Sequence, residues 1–558
     1  MQRIILAGLA VFLAFAAIVA APVVTIEMEE GVVDKPVDGR LLLIVSERDR
    51  GEPRQHVSWG MRTAQIFGVD VDDLKPGQPI VFDEKILGHP LDSLKDIPAG
   101  EYHLQAVLHV YETFQRADGK RLKLPADNGE GQDWSRSPGN LYSEPRTVTL
   151  GGDSQVSLSL TQTIPPIEPV EDTKYVRRLR MKSEMLTEFW GTPIYISAIV
   201  LLPEGFDEET EMRYPVLYNQ GHFPSGVQFF RETPPDETMR GGWRRWVQSN
   251  HEFYQHWISG RVPKMVVVLT QHATPYYDDS YGINSANTGP YGDALIHEFY
   301  PYVEEQVRGI GESWSRVVYG GSTGGWMSLA QQIFYPEFFG GVWSYCPDPV
   351  DFHAFQLIDV YDGSNAYFAG GSFKKVDRPL GRQPNGMPFI TVRDFDRHEE
   401  VLGTRGRSGG QLDAFHAAFG PVAEDGYPAE LWEPQTGKID PDVARYWREN
   451  FDLNAYLQRH WKDVGPSLVG KIHLTMGTKD TFYLETAATM LEEFLESTAE
   501  PDNGPYYAGE FDYGDNEPHC YTGVPDEKGL HPTLYQMLVF AEHIRSSAPE
   551  SGDMSWWP

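Results

Sequence analysis

Short apolar runs alternate with helical stretches through the carboxyl-terminal two thirds of the chain, and this alternation restricts the possible folds most strongly. The runs YPVLYNQG, KMVVVLTQ, SRVVYGGS and KIHLTMG are typical of buried strands, and stretches such as DALIHEFYPYVEEQVRG separate them. Strands that alternate with helices form a mostly parallel sheet covered on both faces. We therefore expect an α/β fold over residues 166–546, with residues 351–469 as an insertion that forms a helical cap.

The region before residue 166 has a different pattern. From about residue 28 to 165, runs such as RLLLIVS and SQVSLSLTQTI are separated by Pro and Gly turns. Short strands with this spacing predict an all-β, sandwich-like domain. The segment TIPPIEPVEDT has the composition of a stiff linker, which predicts a domain boundary near Ile167.

The first 21 residues have the pattern of a secretory signal. Arg3 is the only charge before an apolar stretch that runs from Ile4 to Val24, with small residues at Ala20 and Ala21. We expect cleavage and export to a secreted or periplasmic location. The alternative is an uncleaved membrane anchor, because the stretch is long enough to span a bilayer.

Acidic residues outnumber basic ones by 80 to 47, which gives a formal net charge of -33. A surface of this sign repels polyanions, so the composition excludes an ordinary nucleic-acid partner. The loop from Asp127 to Asp133 is rich in oxygen ligands but lacks the regular spacing of a calcium loop. We expect no metal and no cofactor, and the sequence gives no indication of oligomeric state.

A G-x-S-x-G motif centred on Ser322 has the setting of a nucleophile elbow. It follows the strand-like run VVY and precedes the helical WMSLAQQIFY, and such an elbow needs a strand, a tight turn and a helix in that order. A second match centred on Ser408 follows the polar EEVLGTRGR and has no strand before it. We therefore predict that Ser322 is a nucleophile, and the alternative is a tight structural turn.

An acid and a histidine should follow such a serine, each on the loop after a later strand. Asp480 follows the strand-like IHLTMG and is the predicted acid, with Asp348 and Asp351 as alternatives one strand earlier. His519 lies closest after the last expected strand and is the predicted base. His531 precedes a proline at the start of the last helix, which is typical of a helix terminus. Together these residues predict acyl transfer through an acyl-enzyme.

Two backbone N–H groups are expected to bind the oxyanion that forms during such a reaction. Thr323 directly follows the nucleophile and supplies the first N–H. The strand-like run YPVLY leads into a turn in which Gly221 permits close backbone approach, so His222 or Phe223 would present the second. The alternative is a plain glycine turn.

Several segments resemble the serine esterase family of the α/β-hydrolase superfamily, which includes feruloyl, enterochelin and S-formylglutathione esterases. They are NTGPYGDALIHEFYPYVEEQ, VVYGGSTGGWMSLAQQ, GTKDTFYL and EPHCYTG. The resemblance covers about residues 190–546 and implies an α/β-hydrolase fold with a triad of Ser322, Asp480 and His519. A long insertion before Asp480 and a cysteine directly after His519 distinguish this chain from the familiar members.

We therefore expect an exported carboxylic ester hydrolase that acts on small or saccharide-linked esters. A serine peptidase with the same fold is one alternative. A non-catalytic protein that binds glycans is another, although an intact serine, acid and histidine in the expected order argue against it.

Cys346 and Cys520 are the only cysteines of the chain. Cys346 ends the strand after the nucleophile helix and Cys520 adjoins His519, so both should lie at the same edge of the sheet. We hypothesise that they form a disulfide that restrains the loop carrying His519. The alternative is two separate buried thiols.

Basic residues are concentrated in one part of the insertion, at Arg393, Arg397, Arg405 and Arg407. Such a group is able to bind a substrate carboxylate. We expect instead that these side chains pair with the acids next to them in sequence, which are Asp394, Asp396, Glu399 and Glu400.

Overall fold

The computed structural model describes residues 21–60, 62–371, 373–524 and 530–558. The predicted export segment, residues 1–21, lies outside these ranges except for its last residue. In the described part of the chain, no helix is long and apolar enough to cross a membrane.

The amino-terminal region consists of ten strands joined by hydrogen bonds into one sheet. The strands are β1 (Val23–Met28), β2 (Val37–Ser46), β3 (Gln65–Leu74), β4 (Ile80–Phe82), β5 (Gly88–His89), β6 (Gly100–Gln115), β7 (Arg121–Leu124), β8 (Leu141–Ser143), β9 (Arg146–Leu150) and β10 (Gln155–Thr163). Their order is β4-β1-β10-β8-β6-β2-β3-β5, and β7 and β9 pair with the long β6.

This sheet encloses an apolar core of its own. Ile26 on β1 and Phe67 on β3 lie far apart in the strand order, yet both are buried in the same cluster. The two ends of the sheet therefore face each other across the core, as the two layers of a sandwich do. The domain limits at residues 28 and 165 stay a prediction.

A second sheet of eight strands forms the centre of the remaining chain. Its strands and the three short hairpins around it are β11 (Val176–Ser183), β12 (Ile194–Leu201), β13 (Val216–Gln220), β14 (Val266–Gln271), β15 (Asn284–Ser285), β16 (Gly289–Pro290), β17 (Arg316–Gly321), β18 (Gly341–Tyr345), β19 (Phe368–Ala369), β20 (Val376–Asp377), β21 (Pro379–Arg382), β22 (Pro388–Thr391), β23 (Ile472–Gly477) and β24 (Glu510–Gly514). The order in the large sheet is β11-β12-β14-β13-β17-β18-β23-β24.

The large sheet is mixed. Neighbours from β14 to β24 pair in parallel, whereas β11 and β12 pair antiparallel at one edge. The strand β18 is buried along its whole length, as expected for a strand covered by helices on both faces. The predicted α/β fold is confirmed, and the carboxyl ends of β13, β17, β18, β23 and β24 meet at one edge, where ligands bind in such folds.

The helices are α1 (Glu184–Trp190), α2 (Gly241–Trp257), α3 (Tyr291–Asp293), α4 (Tyr300–Val307), α5 (Thr323–Phe334), α6 (Val392–Leu402), α7 (Gln411–Phe419), α8 (Pro441–Asn450), α9 (Leu453–Val464), α10 (Glu485–Ser497) and α11 (Pro532–Ser547). A π-helical segment, Ala294–Phe299, joins α3 to α4. The segment between β18 and β23 carries α6 to α9. The limits of the insertion at residues 351 and 469, and its role as a helical cap, stay predictions.

The amino-terminal sheet packs directly on this inserted segment. Leu42 and Ile44 on β2 share an apolar cluster with Val401 at the end of α6. The buried guanidinium groups of Arg40 and Arg407 both donate to the carboxylate of Asp70, at 3.2 and 2.7 Å. The two parts of the chain are therefore joined by apolar contacts and by a charged cluster.

The arginines of the insertion do not pair as predicted. Their partners are distant acids, since Arg393 pairs with Asp377, Arg397 with Asp92, Arg405 with Asp425 and Arg407 with Asp70. The neighbouring acids are engaged elsewhere. Asp396 accepts hydrogen bonds from Tyr367 and Trp432, and Glu399 accepts them from two backbone N–H groups at the start of α7. Adjacent positions on a helix point in different directions, so proximity in sequence was a poor guide to pairing.

Candidate active site

Ser322 occupies a sharp turn between β17 and α5. Its backbone angles are φ 59° and ψ -124°, a conformation that is costly for a residue with a side chain. An added Cβ on Gly324 would lie 2.1 Å from the carbonyl oxygen of Gln220, and one on Gly320 would lie 2.5 Å from the same atom. Only glycine fits at these two positions, so the motif holds Ser322 against the end of β13.

The structure brings Ser322, His519 and Asp480 into one hydrogen-bonded chain. The distance from Ser322 Oγ to His519 Nε2 is 2.9 Å, and from His519 Nδ1 to Asp480 Oδ2 it is 2.6 Å. Asp480 is fully buried, and its second oxygen accepts a hydrogen bond from the backbone N–H of Phe482 at 2.8 Å. The carboxylate is therefore fixed in place, and it orients the imidazole towards the serine.

The alternative acids have other partners. Asp348 accepts hydrogen bonds from the hydroxyl groups of Tyr281 and Thr323, at 2.9 and 3.1 Å, and burial raises its pKa. Asp351 accepts from the backbone N–H of His353 at the start of a short 3₁₀ turn. Neither carboxylate is hydrogen-bonded to His519 among the contacts of the described residues.

The alternative serine and histidine also have other roles. Ser408 Oγ accepts a hydrogen bond from the backbone N–H of Gly410 at 3.0 Å and lies 3.4 Å from a Glu399 oxygen. His531 Nδ1 accepts from the backbone N–H of Thr533, and His531 therefore caps the first turn of α11. The sequence pattern had indicated this helix-terminus role for His531.

The pKa values of His519, Cys520 and Cys346 depend on one another. Burial disfavours the imidazolium, but the hydrogen bond to Asp480 and the neighbouring Cys520 outweigh it and raise the pKa of His519 to about 10. The hydrogen bond with Cys346 and the nearby imidazolium lower the pKa of the Cys520 thiol to about 5, against the effect of burial. Burial raises the pKa of Cys346, so the proton of the thiol pair resides on that sulfur.

Cys346 and Cys520 lie beside the nucleophile turn. Their sulfur atoms are 2.9 Å apart and are not bonded to each other in the structure. An added Cβ on Gly321 would lie 3.8 and 3.9 Å from these sulfurs. The two cysteines are thus neighbours at the sheet edge, and the disulfide hypothesis stays a prediction.

The residues expected to supply the oxyanion N–H groups belong to two segments, the start of α5 and the loop after β13. Thr323 is the first residue of α5, where a backbone N–H has no acceptor within the helix. His222 and Phe223 follow β13, and the backbone at the end of this strand lies close to Gly324. An added Cβ on Gly221 would meet nothing within 4 Å. The close approach of the two backbones depends on Gly324, and the role expected for Gly221 stays a prediction.

His222 faces three carboxylates. Its Nδ1 lies 3.1 Å from an oxygen of Asp278 and 3.8 Å from one of Asp279. Burial lowers the pKa of His222, but the hydrogen bond to Asp278 and the charges of Asp279 and Asp348 outweigh it and raise the value to about 9.

A cavity of about 650 Å³ opens in front of Ser322. Three parts of the chain line it. The amino-terminal sheet region contributes Trp59 and Trp134, the insertion contributes Phe395 and Leu402, and the loops of the large sheet contribute Phe482 and His222. The Trp59 ring lies 5.7 to 6.4 Å from three phenylalanine rings, including those of Phe395 and Phe482. Sequence reasoning missed Trp59 and Trp134, because a tryptophan near a strand looks like any core residue.

Among the described residues, three groups place metal-ligand atoms within 4.8 Å of one another. They are Cys346, His519 and Cys520; His222, Asp278 and Asp279; and Asp351, His353 and Asp452. The acidic loop considered from the sequence is different, because Asp127 accepts hydrogen bonds from the backbone N–H groups of Gly129 and Gly131.

The sequence of the chain matches the model of a known protein family. The sequence model of the family described as "Putative esterase" matches residues 193–539. Among curated proteins, none shows significant sequence similarity to the chain.

Similar solved structures are esterases and hydrolases at low identity. A ferulic acid esterase has 15% identity and a TM-score of 0.35, over 66% of this chain and 98% of that one. An S-formylglutathione hydrolase from Agrobacterium tumefaciens has 10% identity and a TM-score of 0.32, over 66% and 94%. A ferulic acid esterase from Anaeromyces mucronatus, solved with ferulic acid, has 14% identity and a TM-score of 0.27, over 67% and 92%.

We expect Cys520→Ser to lower the pKa of His519 in the reduced protein. The substitution removes the thiolate that stabilises the imidazolium, so the imidazole should lose its proton at a lower pH. The pH titration of the His519 ring resonance by NMR measures the shift, and Cys346→Ser should cause a smaller one. An unchanged His519 titration in Cys520→Ser would show that the thiolate does not contribute.

Proposed function

The chain belongs to the "Putative esterase" family and is a serine carboxylic ester hydrolase, and we propose that it acts through a triad of Ser322, His519 and Asp480. The observation that carries this proposal is the unbroken chain of short hydrogen bonds from the strained serine to a fully buried carboxylate. Such a chain positions a base on the nucleophile and orients that base by a third group.

The proposed reaction is acyl transfer in two stages. In its neutral form His519 accepts the proton of Ser322 Oγ at Nε2 as the oxygen attacks the ester carbonyl, and Asp480 stabilises the imidazolium that results. The link proposed below between Cys346 and Cys520 would remove the thiolate that helps to raise the pKa of His519. His519 then gives the proton to the departing alcohol, and an acyl group remains on Ser322. His519 takes a proton from water as the water oxygen attacks this acyl-enzyme, and it returns that proton to Ser322 Oγ as the carboxylic acid is released.

The proposed oxyanion site consists of backbone N–H groups. Thr323 supplies one of them from the first turn of α5, and His222 or Phe223 supplies the other from the loop after β13. Donors fixed by the backbone stabilise the developing negative charge without having to reorganise. The contact of Gly324 with Gln220 supports this role, because it sets the distance between the two loops.

We propose that the substrate is a small ester that carries a ring, including ring-bearing acyl groups attached to saccharides. Apolar rings at Trp59, Phe395 and Phe482 line the cavity, as do polar groups such as His222. Flat apolar walls favour a flat ring through area burial and ring stacking. In this proposal residues 351–469 form a helical cap, and the amino-terminal sheet region completes the wall.

We also propose that the protein is exported and that Cys346 and Cys520 become linked outside the cytoplasm. The apolar stretch from Ile4 to Val24 supports export, and the proximity of the two sulfurs supports the link. Two thiols would lose two protons and two electrons to a disulfide-bearing oxidant, which would become a dithiol as the new bond forms.

Ser322→Ala should lower kcat for p-nitrophenyl acetate by at least about 1,000-fold, because the nucleophile is lost. The matched control is Ser408→Ala, which alters the second G-x-S-x-G motif and should keep at least about a third of the activity. Turnover that survives in Ser322→Ala would contradict the proposed triad. Faster cleavage of peptide amides than of esters by the unaltered protein would favour the peptidase alternative.

Trp59→Ala should lower kcat/KM for ring-bearing esters by about 3- to 10-fold, since an aromatic contact contributes about 0.5–1.5 kcal/mol. Ethyl benzoate and benzyl acetate test the ring in the acyl and alcohol groups, and ethyl acetate should change by less than about twofold. Trp243→Ala is the matched control, because Trp243 is 55% exposed and stacks on Trp246 instead of lining the cavity. Equal losses for all three esters would contradict a ring-binding role.

Peptide mapping of the exported, non-reduced protein should recover one peptide pair that joins Cys346 to Cys520. The pair should be about 2 Da lighter than the two separate peptides and should separate after reduction. A Cys346→Ser variant supplies the control, since it should give only unlinked peptides. Two free thiols in the exported protein would contradict the disulfide.

A further inference from the structure

Two loops at the edge of the large sheet bring one imidazole and two carboxylates together. His222 follows β13, and Asp278 and Asp279 follow β14, its neighbour in the sheet. His222 Nδ1 lies 3.1 Å from Asp278 Oδ1 and 3.8 Å from Asp279 Oδ2, and the three ligand atoms all lie within 4.8 Å of one another. The proposed hydrolysis assigns no role to these three side chains.

Asp279 lacks a hydrogen-bond donor for one of its oxygens. The residue is 2% exposed, its Oδ1 accepts a hydrogen bond from the backbone N–H of Tyr281 at 2.8 Å, and its buried Oδ2 has no hydrogen-bond partner. A buried carboxylate oxygen is costly unless a donor or a cation satisfies it. This oxygen points towards the ring of His222, so the group that satisfies it must lie in that direction.

The charges around this point favour a dication. Asp278 and Asp279 lie 3.1 and 3.8 Å from His222 Nδ1, and burial raises the pKa of Asp279 well above its usual range while no cation is bound. A divalent cation would balance both carboxylates and leave the imidazole as a neutral ligand. Two carboxylates in a partly buried site strengthen the binding of such a cation.

The spacing also fits tetrahedral coordination. Zinc bonds of about 2.0–2.2 Å to nitrogen and oxygen place neighbouring ligand atoms about 3.3–3.6 Å apart, and the observed 3.1 and 3.8 Å bracket that range. His222 and Asp278 line the cavity, while Asp279 lies buried behind them. Three protein ligands would leave the fourth position open to the cavity, as in zinc sites that bind water or a ligand oxygen.

We propose that His222, Asp278 and Asp279 form a binding site for a divalent transition metal, with Zn²⁺ as the best fit. Imidazole favours zinc over Mg²⁺ and Ca²⁺, which prefer sites made of oxygen ligands alone. The open position accepts water or an oxygen donor, such as a carboxylate or hydroxyl group, from a molecule in the cavity. The proposal does not depend on ester hydrolysis, because it concerns metal binding.

The described residues contain two other sets of possible zinc ligands, so the experiment must separate three sets. Asp351, His353 and Asp452 form one of them, and His353→Ala removes its imidazole and should leave the zinc affinity of the proposed site unchanged. Cys346, His519 and Cys520 form the other, with softer ligands of the kind that zinc accepts when they are reduced. Cys520→Ser removes a ligand from that set and leaves the proposed site intact. His222→Ala and Asp279→Asn do the reverse, and because the His222 side chain is half exposed, its removal should preserve the fold.

Calorimetric titration of the chelator-treated, full-length protein with ZnCl₂ tests the proposal. We expect one equivalent of zinc to bind at this site, with the affinity unchanged in Cys520→Ser and at least about tenfold lower in His222→Ala and Asp279→Asn. Circular dichroism checks that each variant is folded. CaCl₂ and MgCl₂ should bind at least about tenfold more weakly than ZnCl₂.

A crystal structure of the protein grown with zinc would locate the bound ion. An anomalous peak at the zinc edge between His222 Nδ1 and the two carboxylates would support the site. Zinc that is lost only in Cys520→Ser, or no zinc binding below about 100 μM, would overturn the proposal. In either case the Asp278–His222 contact would be an ion pair within the protein, and the Ser322→Ala experiment would still decide the hydrolytic function separately.

Discussion

The site depends on one backbone contact, between Gly324 at the start of α5 and the carbonyl of Gln220 at the end of β13. This contact lets the nucleophile turn close and places the loop after β13 next to Ser322. A side chain at position 324 would have to occupy the space of a main-chain carbonyl, which cannot move without disrupting the pairing of β13 with β17. The serine, the proposed oxyanion groups and the His222 loop are all held by it.

The cavity is built by segments that are far apart in sequence. The amino-terminal sheet region contributes Trp59 and Trp134, and it is held against the insertion by Arg40, Asp70 and Arg407. Exposed ion pairs contribute little to stability, but both of these guanidinium groups are buried and share one acceptor. Loss of Asp70 would leave two buried cations without their carboxylate. The charged cluster therefore keeps the aromatic wall in position.

Local patterns in the sequence predicted the fold class and brought out Ser322, Asp480 and His519 as candidates. This was possible because a strand, a tight turn and a helix leave a continuous signal, and because the order of strands fixes which loops share an edge. The pairing of Arg397 with Asp92 and the position of Trp59 left no such signal. They depend on how the amino-terminal sheet packs against the segment between β18 and β23, and the information is spread over contacts between distant segments. The grouping of His222 with Asp278 and Asp279 left no signal for a related reason, since their spacing reflects adjacent strands and not a local motif.

Because Trp59 and Trp134 line the cavity, the amino-terminal region differs from an appended module that is exchangeable in engineering or in evolution. An appended module that merely carries an enzyme to its target is exchangeable, because its loss leaves the reaction chamber whole. Here, removal of the region before β11 would open one side of the chamber to water and expose the apolar face at Val401 and Leu402. The amino-terminal sheet region and the large sheet therefore share one cavity, and a substitution in either part changes the surface that a bound molecule meets.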